Sequence, residues 1–111
     1  MNLNNRKFVT ASNENGLSSN ETIFQYYQRG TVITGNYAGG AIQEGFLIGK
    51  LSGEVTIELL YQCITTAGEL KAGRSVGTIS VTPHGKLQLD FDWNWLTGDR
   101  SGGKSVYIEL K

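Results

Sequence analysis

The run Leu87-Gln88-Leu89-Asp90-Phe91-Asp92-Trp93-Asn94-Trp95 alternates without a break. Its odd positions are Leu, Leu, Phe, Trp and Trp, and its even positions are Gln, Asp, Asp and Asn. Successive side chains of a β-strand point to opposite faces, so as a strand this run has one apolar and one polar face. A helix would scatter both sets around its circumference. The run from Val55 to Cys63 repeats the pattern, with Val55, Ile57, Leu59, Tyr61 and Cys63 on one face. Near the end of the chain, Val106, Ile108 and Leu110 read as the apolar face of a last strand.

Glycines punctuate these runs. Arg29-Gly30, Gly39-Gly40, Ser52-Gly53, Ala67-Gly68 and His84-Gly85 each lie between two of them. Tight hairpins need positive φ at their centre, which glycine adopts without steric cost. The longer loop from Thr97 to Gly103 joins the final pair, and the polar segment Asn13 to Asn20 joins the first. The reading is eight strands, at 6–12, 21–28, 31–38, 41–51, 55–65, 70–81, 86–96 and 104–111. Parallel strands would need crossovers of about a dozen residues or more, and no connection is that long. The expected fold is therefore all-β: an eight-stranded antiparallel up-and-down meander, closed or nearly closed into a small barrel. An open two-sheet sandwich with the same hairpins is the alternative. Gly35, Gly45, Gly49, Gly73 and Gly77 fall inside strands, where glycine marks bends, bulges or close backbone approach. They leave the facing of strands three, four and six open.

Composition narrows the function. At 111 residues the chain fits a single β-barrel domain over 1–111. Ten basic and ten acidic residues cancel, which disfavours a nucleic-acid footprint. Fifteen glycines with one proline exclude collagen and proline-rich disorder. No stretch has the roughly 18 apolar residues of a membrane helix, and Met1 to Lys7 has no signal-peptide core. Cys63 is the sole cysteine and cannot form an internal disulfide. A cytoplasmic protein with neither membrane nor nucleic-acid partner is expected.

The pattern Tyr37-x-Gly39-Gly40-x-Ile42-x-x-Gly45-Phe46-Leu47-Ile48-Gly49-Lys50, followed by Tyr61-Gln62, Trp93-x-Trp95-x-Thr97-Gly98-Asp99 and Gly103-x-Ser105, resembles a family of small uncharacterised bacterial all-β proteins. The resemblance runs from about Phe8 onward. More distantly, the meander is similar in plan to avidin-like and lipocalin-like barrels, a likeness of fold. Members of the bacterial family are sometimes labelled N-acetylglutamate synthase. That label implies an acetyl-CoA loop of the form R/Q-x-x-G-x-G/A opening a helix. Arg74-Ser75-Val76-Gly77-Thr78-Ile79 matches four positions, carries Ile at the last, and lies in a strand with no helix after it.

Catalytic and metal constellations are sparse. Cys63 reads as a small buried hydrophobe, and His84 as an exposed turn residue at a strand end remote from it. One His and one Cys are too few for structural zinc. Asp90-Phe91-Asp92-Trp93-Asn94 imitates an EF-hand start, but Trp95 stands at the glycine position and Ser101 at the glutamate position. The Gly-Lys at 49–50 lacks P-loop spacing and a following hydroxyl. Asp99 and Glu109 could pair as acid and base only across a loop and an outer strand face. No cofactor and no metal are expected.

The aromatic residues carry more. Trp93 and Trp95 fall on the inward face of their strand, Tyr61 on the apolar face of its own, and Tyr37 with Ile33 and Gly35. Arg74 shares a face with Val76 and, if that face is inward, needs a buried partner. Aromatic walls with a few fixed polar groups describe a small-ligand pocket. The first reading is thus a non-catalytic module binding a small, partly apolar ligand through Tyr37, Tyr61, Arg74, Trp93 and Trp95. The second is a structural protein with a filled barrel that forms a homo-oligomer, because Phe46 and Ile48, placed on one face with Ile42, oppose Leu47 and Leu51. An enzyme of unknown reaction is the third.

Overall fold

The computed structural model describes residues 2–13 and 16–110. Eight strands follow one another: β1 (Arg6–Asn13), β2 (Ile23–Arg29), β3 (Val32–Gly39), β4 (Ile42–Leu51), β5 (Thr56–Thr65), β6 (Leu70–Val81), β7 (Leu87–Trp95) and β8 (Gly102–Leu110). Each pairs antiparallel with the next, and β1 pairs with β8 through Phe8↔Glu109 and Val9↔Ile108. The sheet is a closed barrel in sequence order, so the open sandwich is set aside. Closure removes every strand edge, which a domain with a small core would otherwise have to protect. The hairpin glycines take positive φ at Gly30 (59°), Gly39, Gly40, Gly68 (84°) and Gly85, whereas Gly53 in the β4–β5 turn does not. No helix among the described residues is long and apolar enough to cross a membrane.

The inner faces of β5 and β7 are those read from alternation. Ile57, Leu59 and Cys63 are buried on β5, as are Leu87, Leu89, Phe91, Trp93 and Trp95 on β7; Val55 precedes β5 and is exposed. The strands left open now have faces. β3 turns Ile33, Gly35 and Tyr37 inward, and β6 turns in Gly73, Ser75, Gly77 and Ile79. On β4 the register slips between Ile42 and Glu44. That bulge inserts one residue and inverts the parity, so Ile42 joins Gly45 and Leu47 inside while Phe46 and Ile48 lie outside. Ile42 therefore does not share their face, as simple alternation had it.

β8 departs from expectation. Its inner face is Ser105, Tyr107 and Glu109, opposite Phe91, Leu89 and the end of β7, and Val106, Ile108 and Leu110 face outward. The cause is an ion pair. The Glu109 carboxylate accepts from Arg6 Nη1 at 2.6 Å and from the Leu87 N–H at 2.9 Å. These bonds let a carboxylate lie buried, with its side chain 6% exposed. Glu109 is thus neither on an outer face nor near Asp99. Below it, Leu3, Phe8, Ile33, Ile57 and Leu89 are fully buried and plug this end of the barrel.

Candidate functional site

The opposite end is different. Following the cross-strand register around it, Phe24 lies opposite Tyr37, Tyr37 opposite Gly45, Tyr61 opposite Gly73, and Ser75 opposite Trp93. Two in-strand glycines explain how so many rings fit. A Cβ on Gly45 would come within about 2.4 Å of the Tyr37 ring, and one on Gly73 equally close to the Tyr61 ring. Each tyrosine lies flat across the bare backbone of its neighbour. Gly49 and Gly77 answer a different need, since a Cβ there would collide with the carbonyl oxygens of Glu58 and Asp90 in the adjoining strands.

The rings pack against one another. Phe24 stacks on Tyr37 at 4.8 Å and 18°, and meets Tyr107 edge-on at 5.0 Å. Trp95 meets Tyr61 at 5.9 Å and Trp93 at 5.3 Å, both edge-on. Between these groups is a small recess with a cavity volume of about 50 Å³. Phe24, Phe91, Tyr37, Tyr61, Tyr107 and both tryptophans form its walls, with Ile42, Leu47 and Leu59 beneath. Leu17 and Ser18, from the β1–β2 connection, reach over it. Asn13 holds this connection by donating from Nδ2 to the Ser18 carbonyl at 3.1 Å and accepting from Ser105 Oγ at 2.5 Å.

Most polar groups in the wall are already engaged. The Tyr37 hydroxyl donates to the Gln62 carbonyl at 3.1 Å and touches the Cys63 thiol. The Tyr61 hydroxyl lies beside Ser75, and that of Tyr107 beside Ser105 and Ser18. Burial pushes the phenols of Tyr26, Tyr37, Tyr61 and Tyr107 above the ordinary tyrosine range, because a phenolate would lose its hydration. Burial also raises the Cys63 thiol, which keeps it protonated and a poor nucleophile near neutrality. No lining residue carries a charge at neutral pH. Lys71 sits at the rim, its Nζ 4.8 Å from the centre of the Trp95 ring.

Four residues singled out in the sequence meet here: Tyr37, Tyr61, Trp93 and Trp95. Arg74 does not. It points out of the barrel and pairs with Glu58 at 3.2 Å, with a side chain 44% exposed. An inward guanidinium would have had no carboxylate in the wall to meet it, whereas the outer face of β5 supplies one. Sequence reasoning also passed over several wall residues. Phe91 carried the same alternation signal as Trp93. Tyr107 was masked by the apolar residues flanking it on the other face of β8. Asn13 and Ser18 belong to a connection with no periodicity to read.

The β4–β5 exterior is the other notable surface. Ile48 and Leu60 are directly opposite one another, and Phe46, Ile48 and Leu60 are all about half exposed. Among the described residues no group of three or more His, Cys, Asp or Glu could hold a metal ion.

Comparisons with known proteins agree on this architecture. Residues 1–110 match the model of a family described as avidin-like protein. The solved structure of apo shwanavidin superposes with a TM-score of 0.69 at 14% sequence identity, covering 97% of this chain and 96% of that one. No curated protein sequence matches.

Proposed function

The chain belongs to the avidin-like protein family, and from that membership and the recess we propose that it is a non-catalytic binding protein for a small, partly apolar molecule. The observation that carries the reading is the uncharged, ring-walled recess at one end of a barrel whose other end is plugged. Gly45 and Gly73 let Tyr37 and Tyr61 lie flat against the barrel wall, and the recess lies among the rings. Tyr37, Tyr61, Trp93 and Trp95 are the contact residues. The wall offers hydroxyls, rings and a protonated thiol, which suit recognition better than proton transfer. A lone buried cysteine and balanced charge favour a reducing, cytoplasmic setting.

Biotin, the small molecule associated with avidin-like barrels, is the first compound to test, followed by a broad metabolite set. Both tryptophans report directly on the recess. A ligand present at 100 times its dissociation constant should raise stability by about 2.7 kcal/mol and change tryptophan emission. If no compound alters emission or melting temperature, the reading fails.

The exposed Phe46, Ile48 and Leu60 support a second reading that is compatible with the first: association of two or more copies through the β4–β5 exterior. Sedimentation over a range of concentrations tests it. A strict monomer at high concentration would remove it, and Leu60→Lys should reverse any association seen.

A further inference from the structure

The recess is smaller than the ligands proposed for it. Its volume is about 50 Å³. An apolar cavity that accepts a single benzene ring is about 150 Å³. Part of the lining must therefore give way when a ligand enters. The sheet is poorly placed to do so. Every lining residue from Phe24 onward belongs to a strand, and a closed barrel ties each strand to both neighbours. Tyr37 and Tyr61 lie against the bare backbone of Gly45 and Gly73, and Tyr37 also donates to the Gln62 carbonyl. Among the described residues, only Gly16, Leu17 and Ser18 line the recess from outside the sheet. Of these three, only Leu17 brings a sizeable apolar side chain, and it packs, partly buried, against the core cluster.

Side-chain hydrogen bonds of its neighbours, not a strand ladder, hold Leu17 in place. Gly16 lies so close to the Asn13 amide that a Cβ at 16 would collide with it. Asn13 Nδ2 donates to the Ser18 carbonyl at 3.1 Å and to its hydroxyl at 3.0 Å, and Asn13 Oδ1 accepts from Ser105 Oγ. Beyond Ser18 the chain is anchored, since Thr22 Oγ1 accepts from the Ser19 N–H at 3.1 Å and donates to the Gly39 carbonyl at 3.0 Å. Partly buried bonds of this kind open far more readily than a barrel ladder. We propose that Leu17 is a displaceable occupant of the recess. Its side chain takes the space that an apolar group of the ligand requires, and binding expels it as the bonds between Asn13 and Ser18 open. The inference rests on the binding reading above and adds its regulation. Affinity depends on how firmly Asn13 holds Leu17 in place as well as on contacts to the rings.

Benzene is the probe, because its fit depends on room and not on polar contacts. Tryptophan emission gives its affinity, and the leucine methyl signals of ¹³C-labelled protein report on Leu17 itself. In the unsubstituted protein the Leu17 methyl signals, assigned by their absence from Leu17→Ala, should lie upfield under the ring currents. They should move to ordinary leucine positions as benzene saturates. Leu17→Ala should bind benzene about tenfold tighter or more, because nothing has to be expelled. Asn13→Leu, close to Asn in size but unable to hold Ser18, keeps Leu17 and should tighten benzene binding several-fold. Should that variant not fold, the methyl signals of the unsubstituted protein read the same displacement. Leu17 methyl signals that stay in place at saturating benzene, or Leu17→Ala binding no tighter than the unsubstituted protein, would overturn the proposal while leaving the binding reading intact. Benzene bound by Leu17→Ala alone would make Leu17 a fixed part of the core and overturn it as well. Benzene bound by neither protein would also overturn it, and the metabolite titrations then decide the binding reading separately.

Discussion

Substituting Gly45 by Ala probes how the recess is built. The new Cβ would come within 2.4 Å of the ring of Tyr37, directly opposite across the β3–β4 ladder. Tyr37 must then leave its seat, where it stacks on Phe24 and donates to the Gln62 carbonyl. The hydrogen bond is worth about 1 kcal/mol and the stacked pair about 0.5–1.5 kcal/mol. Against this, replacing Gly with Ala restricts the unfolded chain and returns about 0.4–1 kcal/mol. The net expectation is a destabilisation of about 1–2 kcal/mol, within the usual range for an overfilled core. Urea denaturation followed by tryptophan emission reads it as a lower midpoint with an unchanged slope. The decisive comparison is a double-mutant cycle with Tyr37→Leu. Once the ring is gone, Gly45→Ala should be neutral or stabilising, giving a coupling of about 2 kcal/mol. A Gly45→Ala protein at least as stable as the parent, or additivity to within about 0.5 kcal/mol, would refute the idea that these glycines are ring seats.

Three further outcomes are expected. Arg6→Ala removes the ion-pair partner of the buried Glu109 carboxylate, which keeps the Leu87 N–H, and should cost up to about 3 kcal/mol; Glu109→Gln, which can still accept from the Leu87 N–H, should cost less. Arg74→Ala breaks only a surface pair and should change stability by under about 1 kcal/mol, with unchanged ligand affinity in the emission titration. The raised phenols of Tyr26, Tyr37, Tyr61 and Tyr107 make stability depend on alkaline pH. The folded state holds these protons more tightly than the unfolded chain. Their stabilisation is therefore complete below about pH 10, the ordinary tyrosine pKa, and is lost above it at up to about 1.4 kcal/mol per pH unit for each group. Denaturation midpoints should be flat up to that pH and then fall, with the phenolate absorbance of these four buried tyrosines appearing together with unfolding rather than before it.

What could be read in advance follows from how side chains declare their faces. β5 and β7 alternate apolar and polar residues, so their inner faces, Tyr61 and both tryptophans were legible. The hairpin glycines counted the strands, each bound falling within two residues of the observed one. Three strands resisted for separate reasons. On β4 a bulge after Ile42 inverts parity, and a bulge has no sequence signature as strong as the alternation it breaks. On β6 the inner face is Gly73, Ser75 and Gly77, too small to announce a core, so the larger Arg74 and Val76 drew attention to the wrong side. On β8 the inward residue Glu109 looks like a surface acid until Arg6, at the other end of the chain, is placed beside it. The same limit applies to the site. Opposed Tyr37–Gly45 and Tyr61–Gly73 pairs become visible only once the register is fixed, and the hold of Asn13 on Ser18 beside Leu17 only once every neighbour is in place.

The central claim is that the barrel's aromatic end is an accessible recess and not a filled core. Diffraction from xenon-pressurised crystals tests it most directly, since xenon enters apolar space that has no other occupant. The account predicts a xenon site inside the barrel among Phe24, Tyr61 and Trp93. Xenon found only on the outer surface beside Phe46 and Leu70, with none inside, would contradict it.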